Sequence, residues 1–533
     1  MAINRVALIF LWIPVSSFSQ DRYFVSFKDK ANTPYSVSNP LQFLSQKSID
    51  RRDREKFAAV EEDLPVDTVY VHQVKKNGAS VFFTSRWFNG VLIQANASTA
   101  ATVAALPFVS KVELVAHGTK LIGGRKKTMN KFERVGATSA LQNQLQLEMI
   151  GLDKMQSAGY HGEGIDVAVF DAGFIGVNTL ASFQGIYQEG RMKSVFNFVN
   201  NSNDVYSAYN HGTEVLSIIA GNISNMYLGG AYKANFFLYQ TEDVSSEYRI
   251  EEYNWLFAAE RADSAGVAVI NSSVGYNTFD DPGMDYTYKN LDGKTSVVSR
   301  AAHKAFERGI VVVNSAGNEG NNSWKYLIVP ADAEGVIACG AVNYAGSRSS
   351  FSSIGPSADG RTKPDVGALG EGSVIISPSG SIMSGNGTSF SSPLVACLAI
   401  GLRQALPLAS AKEIYQRIIN SASQATRPDN LLGYGIPNFT LAKDLVDFQD
   451  EFQLYPNPVN DGVLRIIFKD PQSQIFTAVI FNSSGQKVFE LSDSISWNDN
   501  PYSLDLSGLV AGLYLVKVQT STSNKTGRIV KIN

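Results

Sequence analysis

Two hydrophobic patterns alternate along residues 140–447. Residues 165–170, 267–270, 310–313 and 336–339 are short apolar runs with little polar interruption, the form a strand takes when both of its faces are covered. Between them, residues 251–265 and 299–308 repeat apolar positions at helical spacing and stop at Gly266 and Gly309, the residue type that commonly follows a helix end. Strand and helix in alternation predict a doubly wound, mostly parallel α/β sheet. Residues 394–402 are apolar all round, which predicts a buried helix.

The flanking segments carry other patterns. Residues 20–118 show strands at 23–27, 81–84, 90–95 and 111–115 and helical spacing at 41–56 and 98–106, a small α/β unit. The stretch 119–139 contains Gly123-Gly124-Arg125-Lys126-Lys127 and runs on through Arg134. It reads as an exposed basic linker, either a processing site or a merely solvated connector. Residues 452–533 begin with Tyr455-Pro456-Asn457-Pro458 and continue with short alternating segments at 463–467 and 479–481. Asn482-Ser483-Ser484-Gly485, Asp499-Asn500-Pro501 and Ala511-Gly512 break the pattern. This predicts a small antiparallel β-sandwich. At the other end, one positive charge within residues 1–5 precedes ten apolar residues, 6–15, and then Ser17-Phe18-Ser19. That layout predicts a secretory signal peptide cut after Ser19, with an apolar run too short to span a bilayer. No later segment reaches the ~18 apolar residues of a transmembrane helix.

Composition narrows the function. Lys plus Arg is 46 against 49 for Asp plus Glu, a net charge of −3 with neither sign concentrated, so nucleic acid is not an expected partner. At 44% hydrophobic with 30 Phe and 22 Tyr the chain is too apolar to be disordered. Its two cysteines, Cys339 and Cys397, both sit in apolar runs and read as small buried hydrophobes rather than a bridge.

In open α/β sheets chemistry gathers beyond the carboxyl ends of the strands. Three of those ends carry Asp171-Ala172-Gly173, Asn271-Ser272-Ser273-Val274-Gly275 and Asn314-Ser315-Ala316-Gly317-Asn318-Glu319-Gly320. Asp171 alone would pass for a turn former or helix cap. It gains meaning from His211-Gly212-Thr213, which opens an apolar segment, and from Gly387-Thr388-Ser389-Phe390-Ser391-Ser392-Pro393, which sets a serine at the start of the buried helix. Pro393 lies close enough to that start to be tolerated. Asp, His and Ser in this chain order is one of the known triad orders and differs from that of α/β-hydrolases, whose Gly-x-Ser-x-Gly elbow is missing from the chain. A serine hydroxyl becomes a nucleophile when a base takes its proton; His211 is the candidate base, and Asp171 the group that would fix its tautomer.

These motifs, with Ser349-Ser350-Phe351-Ser352-Ser353-Ile354-Gly355-Pro356 and Lys363-Pro364-Asp365-Val366, resemble those of subtilisin-like serine peptidases over about 300 residues. The resemblance implies a secreted serine endopeptidase acting on proteins or peptides through an acyl-enzyme, with Asp171, His211 and Ser389 catalytic. It implies that Asn318 and the Ser389 N–H hold the oxyanion, that Ser273, Val274 and Gly275 pair with the substrate, and that Ala316 and Gly317 belong to the binding wall. Residues 319–330 would border the pocket for the residue before the scissile bond. Residues 20–118 resemble a subtilisin-type propeptide, which implies a zymogen with its own inhibitor. Residues 452–533, with Leu504-Asp505-Leu506-Ser507-Gly508-Leu509 and Gly512-Leu513-Tyr514-Leu515-Val516-Lys517-Val518, resemble a C-terminal sorting domain of the type IX secretion system. That implies export through the periplasm to the exterior or outer cell surface.

Glu214 stands where many relatives repeat a histidine, and Ala368-Leu369-Gly370 replaces their Ala-Pro-Gly. His117-Gly118-Thr119 repeats the histidine motif but precedes Asp171 and reads as a decoy. The chemistry requires no cofactor; a structural calcium is conceivable at the acidic loop Asp280-Asp281-Pro282-Gly283-Met284-Asp285, which lacks EF-hand spacing. A catalytically silent binding protein of the same fold and an ester or acyl hydrolase are the alternatives.

Overall fold

The computed structural model describes residues 20–118, 133–135, 141–445, 452–460, 462–468, 474–495, 501–521 and 523–532. The expected signal peptide and most of the basic linker lie outside the described residues.

Seven strands form the central sheet: β1 (Asp166–Asp171), β2 (Met192–Asn197), β3 (Asn235–Gln240), β4 (Val269–Ser272), β5 (Val311–Ser315), β6 (Val336–Val342) and β7 (Val366–Leu369). Their spatial order is β7-β6-β5-β4-β1-β3-β2, every neighbouring pair parallel. The chain therefore builds to one side of β1 first and to the other afterwards, which makes the carboxyl end of β1 a topological switch point. Four helices cover the two faces: α1 (His211–Ala220), α2 (Ile250–Ala265), α3 (Val297–Glu307) and α4 (Thr388–Ala405). The strands are apolar without alternation because both faces are buried. Val167 and Val169 point into one core with Val215 and Leu394, while Ala168 and Phe170 point into the other with Trp255 and Ala301. Cys339 and Cys397 are buried free thiols in the first of these cores. Strands β2, β3 and β7 escaped the sequence reading: Lys193 and Ser194 break the apolar run of β2, while β3 does carry an unbroken run at 236–239 between its polar ends Asn235 and Gln240.

The N-terminal unit is a four-stranded antiparallel sheet in the order Ser80–Ser85, Gly90–Ala95, Asp21–Phe27, Val109–Ala116. It rests on α2, with Phe24 stacked on Tyr253 at 4.4 Å and Phe83 packed on Phe257 at 5.1 Å. The helical pattern at 41–56 resolves into a short 3-10 turn and a helix, Gln46–Glu55, that starts only where the Ser45 side chain accepts the Ser48 N–H. A further helix, Thr68–Lys76, capped by Asp67, went unread. Gln46–Glu55 lies across the ends of α2 and α3. A Cβ on Gly266 would stand 2.4 Å from Lys47 Cβ, and one on Gly309 would stand 2.5 Å from Glu55 Cγ. Both glycines thus end a helix and admit a neighbour.

Arg51 completes this junction. Its Nε donates to the Arg308 carbonyl at 2.8 Å and its Nη1 to the Val267 carbonyl at 2.7 Å, satisfying acceptors that the ends of α3 and α2 leave open. Burial lowers the Arg51 guanidinium to about 10. Beside it the fully buried Asp263 of α2 accepts from Arg51, from Arg52 at 2.8 Å and from Arg86. In return Asp63 of the N-terminal unit accepts from Arg308 at 2.7 Å and from Arg52 at 3.0 Å. Burial alone would raise the Asp63 carboxyl, but the guanidiniums of Arg308 and Arg52 outweigh it and hold it down to about 2.

Glu252, buried in α2, accepts from the Tyr286 hydroxyl at 2.7 Å and the Val298 N–H at 3.0 Å, and burial pushes its carboxyl up from 4.5 to about 7. A raised carboxyl stabilises the fold while protonated: the gain is complete below its unfolded value and is lost as pH rises through its folded value. Glu252→Gln keeps the shape without the titration. It is expected to remove about 2 to 3 kcal/mol of the stability lost between pH 5 and 8, read as a flatter profile of thermal midpoint against pH in calorimetry.

Three residues of the stretch expected to be linker, Glu133–Val135, instead form a strand antiparallel to Ile382–Asn386, with Glu133 opposite Asn386. The C-terminal segment folds as expected. A three-stranded and a four-stranded antiparallel sheet enclose one core that includes Leu464, Ile466, Phe476, Ile480 and Val516. No helix among the described residues is long and apolar enough to cross a membrane.

Candidate active site

Asp171 is the last residue of β1 and is fully buried. Its Oδ1 accepts the Ala172 N–H at 2.7 Å and lies 2.7 Å from His211 Nδ1. An ionised carboxylate only accepts, so the imidazole proton belongs on Nδ1, and Nε2 is the ring's proton acceptor. The local sequence explains the approach. A Cβ on Gly212 would meet the Gly173 carbonyl at 2.5 Å and Asp171 Cβ at 2.9 Å, while the Thr213 hydroxyl donates to the Ile175 carbonyl at 2.7 Å. In His-Gly-Thr the glycine gives clearance and the threonine ties the start of α1 to the loop after β1.

Ser389 stands in the first turn of α4, and the His211 ring lies 6.0 Å from the ring of the next residue, Phe390. The Ser389 hydroxyl donates to the Ser273 carbonyl at 3.3 Å, and the Ser273 hydroxyl donates to the Ser389 carbonyl at 3.0 Å. The second contact has a cause four residues on. Pro393 has no N–H to give the Ser389 carbonyl its helical bond, and Ser273 supplies the missing donor. Asn271 donates to Ser273 Oγ at 3.2 Å and accepts from the Ser392 hydroxyl at 2.8 Å, fixing both.

Asn318 is held by its oxygen, which accepts the Thr388 N–H at 2.9 Å and the Thr388 hydroxyl at 3.0 Å. Its amide nitrogen therefore turns toward the Gly387–Ser389 turn. A Cβ built on Gly387 would stand 3.7 Å from Asn318 Nδ2 and 3.7 Å from the Ser389 backbone nitrogen. Two N–H donors flank a small volume that glycine keeps open. Val274 and Gly275 continue from β4 toward an antiparallel bridge between Tyr276 and Val329. Gly317 donates its N–H to Thr388 Oγ1 at 3.2 Å, whereas Ala316 faces the core and supports the wall from behind.

The structure separates the other sequence candidates from this cluster. His117 contacts Asp281 at 3.1 Å across the junction with the N-terminal unit. Glu214 accepts from the Asn210 side chain at 2.7 Å. In the loop at 280–285 Asp280 accepts the Glu247 N–H, Asp281 the Gly283 N–H and Asp285 the Phe279 N–H. Among the described residues no group of three or more His, Cys, Asp or Glu is placed to hold a metal. Thr388 and Asn271 were missed by the sequence reading, although both lie inside quoted motifs, because their roles depend on chain contacts 70 and 121 residues away.

A buried acid–imidazole pair at a switch point, a serine at a helix start and two converging N–H donors on an open α/β sheet are the groups that serine hydrolase chemistry calls for. The chain belongs to the subtilase family, whose sequence model matches residues 162–435. The Bacteroidota propeptide domain of peptidase S8 matches residues 22–132, and the secretion system C-terminal sorting domain matches residues 453–532. Subtilisin DY of Bacillus licheniformis is 29% identical over 279 residues, 52% of this chain and 90% of its own. Subtilisin NAT of Bacillus subtilis subsp. natto is 30% identical over 293 residues, 54% of this chain and 68% of its own. Among solved structures, MycP1 with its N-terminal propeptide removed gives a TM-score of 0.46 at 22% identity, covering 57% of this chain and 98% of that one. The protein is a subtilisin-like serine-type endopeptidase made with a propeptide, and its sorting domain implies secretion to the cell surface or beyond. Subtilisins need no cofactor for catalysis.

Proposed function

We propose that the protein hydrolyses peptide bonds of protein substrates through Asp171, His211 and Ser389, by way of an acyl-enzyme, after release of the inhibitory unit 20–118. Ser389 Oγ attacks the carbonyl carbon while His211 Nε2 takes its proton, and Asp171 stabilises the imidazolium. The oxyanion is held by Asn318 Nδ2 and the Ser389 N–H. His211 returns the proton to the leaving amine, and water then hydrolyses the ester by the same steps. The observation that carries this reading is the 2.7 Å contact between buried Asp171 and His211 Nδ1, which leaves Nε2 as the base. The signal peptide at 1–19 and the sorting unit at 452–533 would take the zymogen through the periplasm and out.

Covalent labelling of matured protein by a fluorophosphonate, with casein cleavage alongside, tests the assignment. Both are expected in the wild type and neither in Ser389→Ala; wild-type protein that does neither overturns it. A second expectation concerns the oxyanion. Gly387→Ala places a methyl 3.7 Å from both donors, at a residue whose φ of +153° suits glycine. It is expected to lower kcat by about 10²-fold, the scale known for losing one such donor in a subtilisin, a relative of this chain, with far-UV circular dichroism unchanged.

A further inference from the structure

The segments 273–275 and 316–318 face each other beside Ser389, and each brings a glycine to the facing wall. Gly275 and Gly317 leave a slot between them of the kind that could receive a side chain from a bound peptide. In this chain the slot is already occupied. Ile328 Cγ1 and Cδ1 lie 2.7 and 2.8 Å from where a Cβ on Gly275 would stand, and 3.0 and 3.2 Å from one on Gly317. The position of this side chain follows from its backbone. Ile328 donates its N–H to the Ala316 carbonyl at 3.2 Å, and the next residue, Val329, bridges Tyr276. In an extended segment successive side chains alternate. Leu327 and Val329 are fully buried in the second core, so Ile328 points the other way; it belongs to no core cluster and keeps 9% of its surface exposed.

We infer that Ile328 is the floor of the pocket for the residue before the scissile bond and restricts it to small side chains, making this a peptidase for sites after alanine, serine or glycine. The inference rests on the proposed roles of Ser389 and the 273–275 strand and deepens them. A branched four-carbon side chain touching both glycine walls shortens the slot, so the fit favours a methyl or hydroxymethyl group over anything longer. A leucine or phenylalanine must displace it or leave the strand register, and a hydrophobic pocket changes preference by 10- to 200-fold for each methylene it gains or loses.

The test uses matured protein and peptide p-nitroanilides that differ only in the residue before the anilide: Gly, Ala, Ser, Leu and Phe. Wild-type kcat/KM is expected to be at least about 10-fold higher for Ala than for Phe, and Ile328→Gly to raise the Phe-to-Ala ratio by about 100-fold. Ile328→Ala should give an intermediate ratio, and the wild-type series decides the matter if Ile328→Gly misfolds. Equal turnover of Phe and Ala by wild-type protein, or an unchanged ratio in a variant that still labels with fluorophosphonate, overturns the inference alone. Absence of labelling and of turnover with every peptide overturns the Ser389 assignment and this inference with it.

Discussion

Asp171→Asn is expected to lower kcat by about 10⁴-fold near neutral pH, with KM within about threefold of wild type. The side chain is fully buried and its Oδ1 serves both the Ala172 N–H and His211 Nδ1. Asparagine keeps that shape but removes the charge that stabilises the imidazolium. If its amide turns toward His211, the ring proton moves to Nε2, where the ring can no longer accept one. The Asp171 carboxylate hydrogen-bonds Ala172 and His211 and makes no hydrogen bond to the 273–275 segment, so ground-state binding should survive. Steady-state kinetics on a peptide substrate check this, with unchanged thermal unfolding showing that the fold is intact. A matching loss in KM would mean that the carboxylate organises the binding edge instead.

The second large effect is expected at the junction with the N-terminal unit. Asp263→Asn leaves Arg51, Arg52 and Arg86 converging on a neutral group in a fully buried place. Removing one partner of a buried ion network costs about 3 to 5 kcal/mol, because the remaining charges stay desolvated. That corresponds to a population of undocked N-terminal unit raised by about 10²- to 4 × 10³-fold. Hydrogen exchange on the uncleaved chain, carrying Ser389→Ala to prevent processing, should show protection lost over Gln46–Glu55. Protection should also fall at the Arg86 and Trp87 amides, which donate to Glu260 at 3.0 and 3.2 Å. Protection unchanged in all of these would show that apolar contacts such as Phe24 on Tyr253 hold the unit by themselves. The same network sets an acid limit. Asp63 and Asp263 are held below the ordinary carboxylate range despite burial, by their guanidiniums. Depressed carboxylates stabilise above their unfolded value, and that contribution is lost as pH falls from about 4 toward 2.

What the residues disclosed in advance follows from how local each signal is. The inner strands were legible because burial on both faces makes every position apolar, and Gly266 and Gly309 marked helix ends. Asp171, His211 and Ser389 stood out because each sits in a motif at a strand or helix end. β2, broken by Lys193 and Ser194, gave no comparable run, whereas β3 has one at 236–239 and was nonetheless missed. Asp67 before Thr68–Lys76 is an ordinary capping residue with little apolar periodicity behind it. The Arg51–Asp263 contact joins residues 212 apart in the chain, and no local pattern distinguishes Arg51 from the exposed basic residues around it. Ile328 looks like any core residue of an apolar run, and only the alternation with Leu327 and Val329 shows that it faces the cleft.

The double tie between Ser273 and Ser389 bears on how this enzyme can diverge. Pro393 leaves the Ser389 carbonyl without a helical donor, and Ser273 fills the gap from the edge that is to pair with the peptide. Placement of the peptide and placement of the nucleophile are therefore one coordinate rather than two. A substitution that shifts the 273–275 edge to suit another peptide also moves Ser389, so changes of preference made there should bring slower turnover with them. Ile328 has no hydrogen bond to either serine, and variation at that position is the route by which descendants of this chain could change diet without disturbing the chemistry.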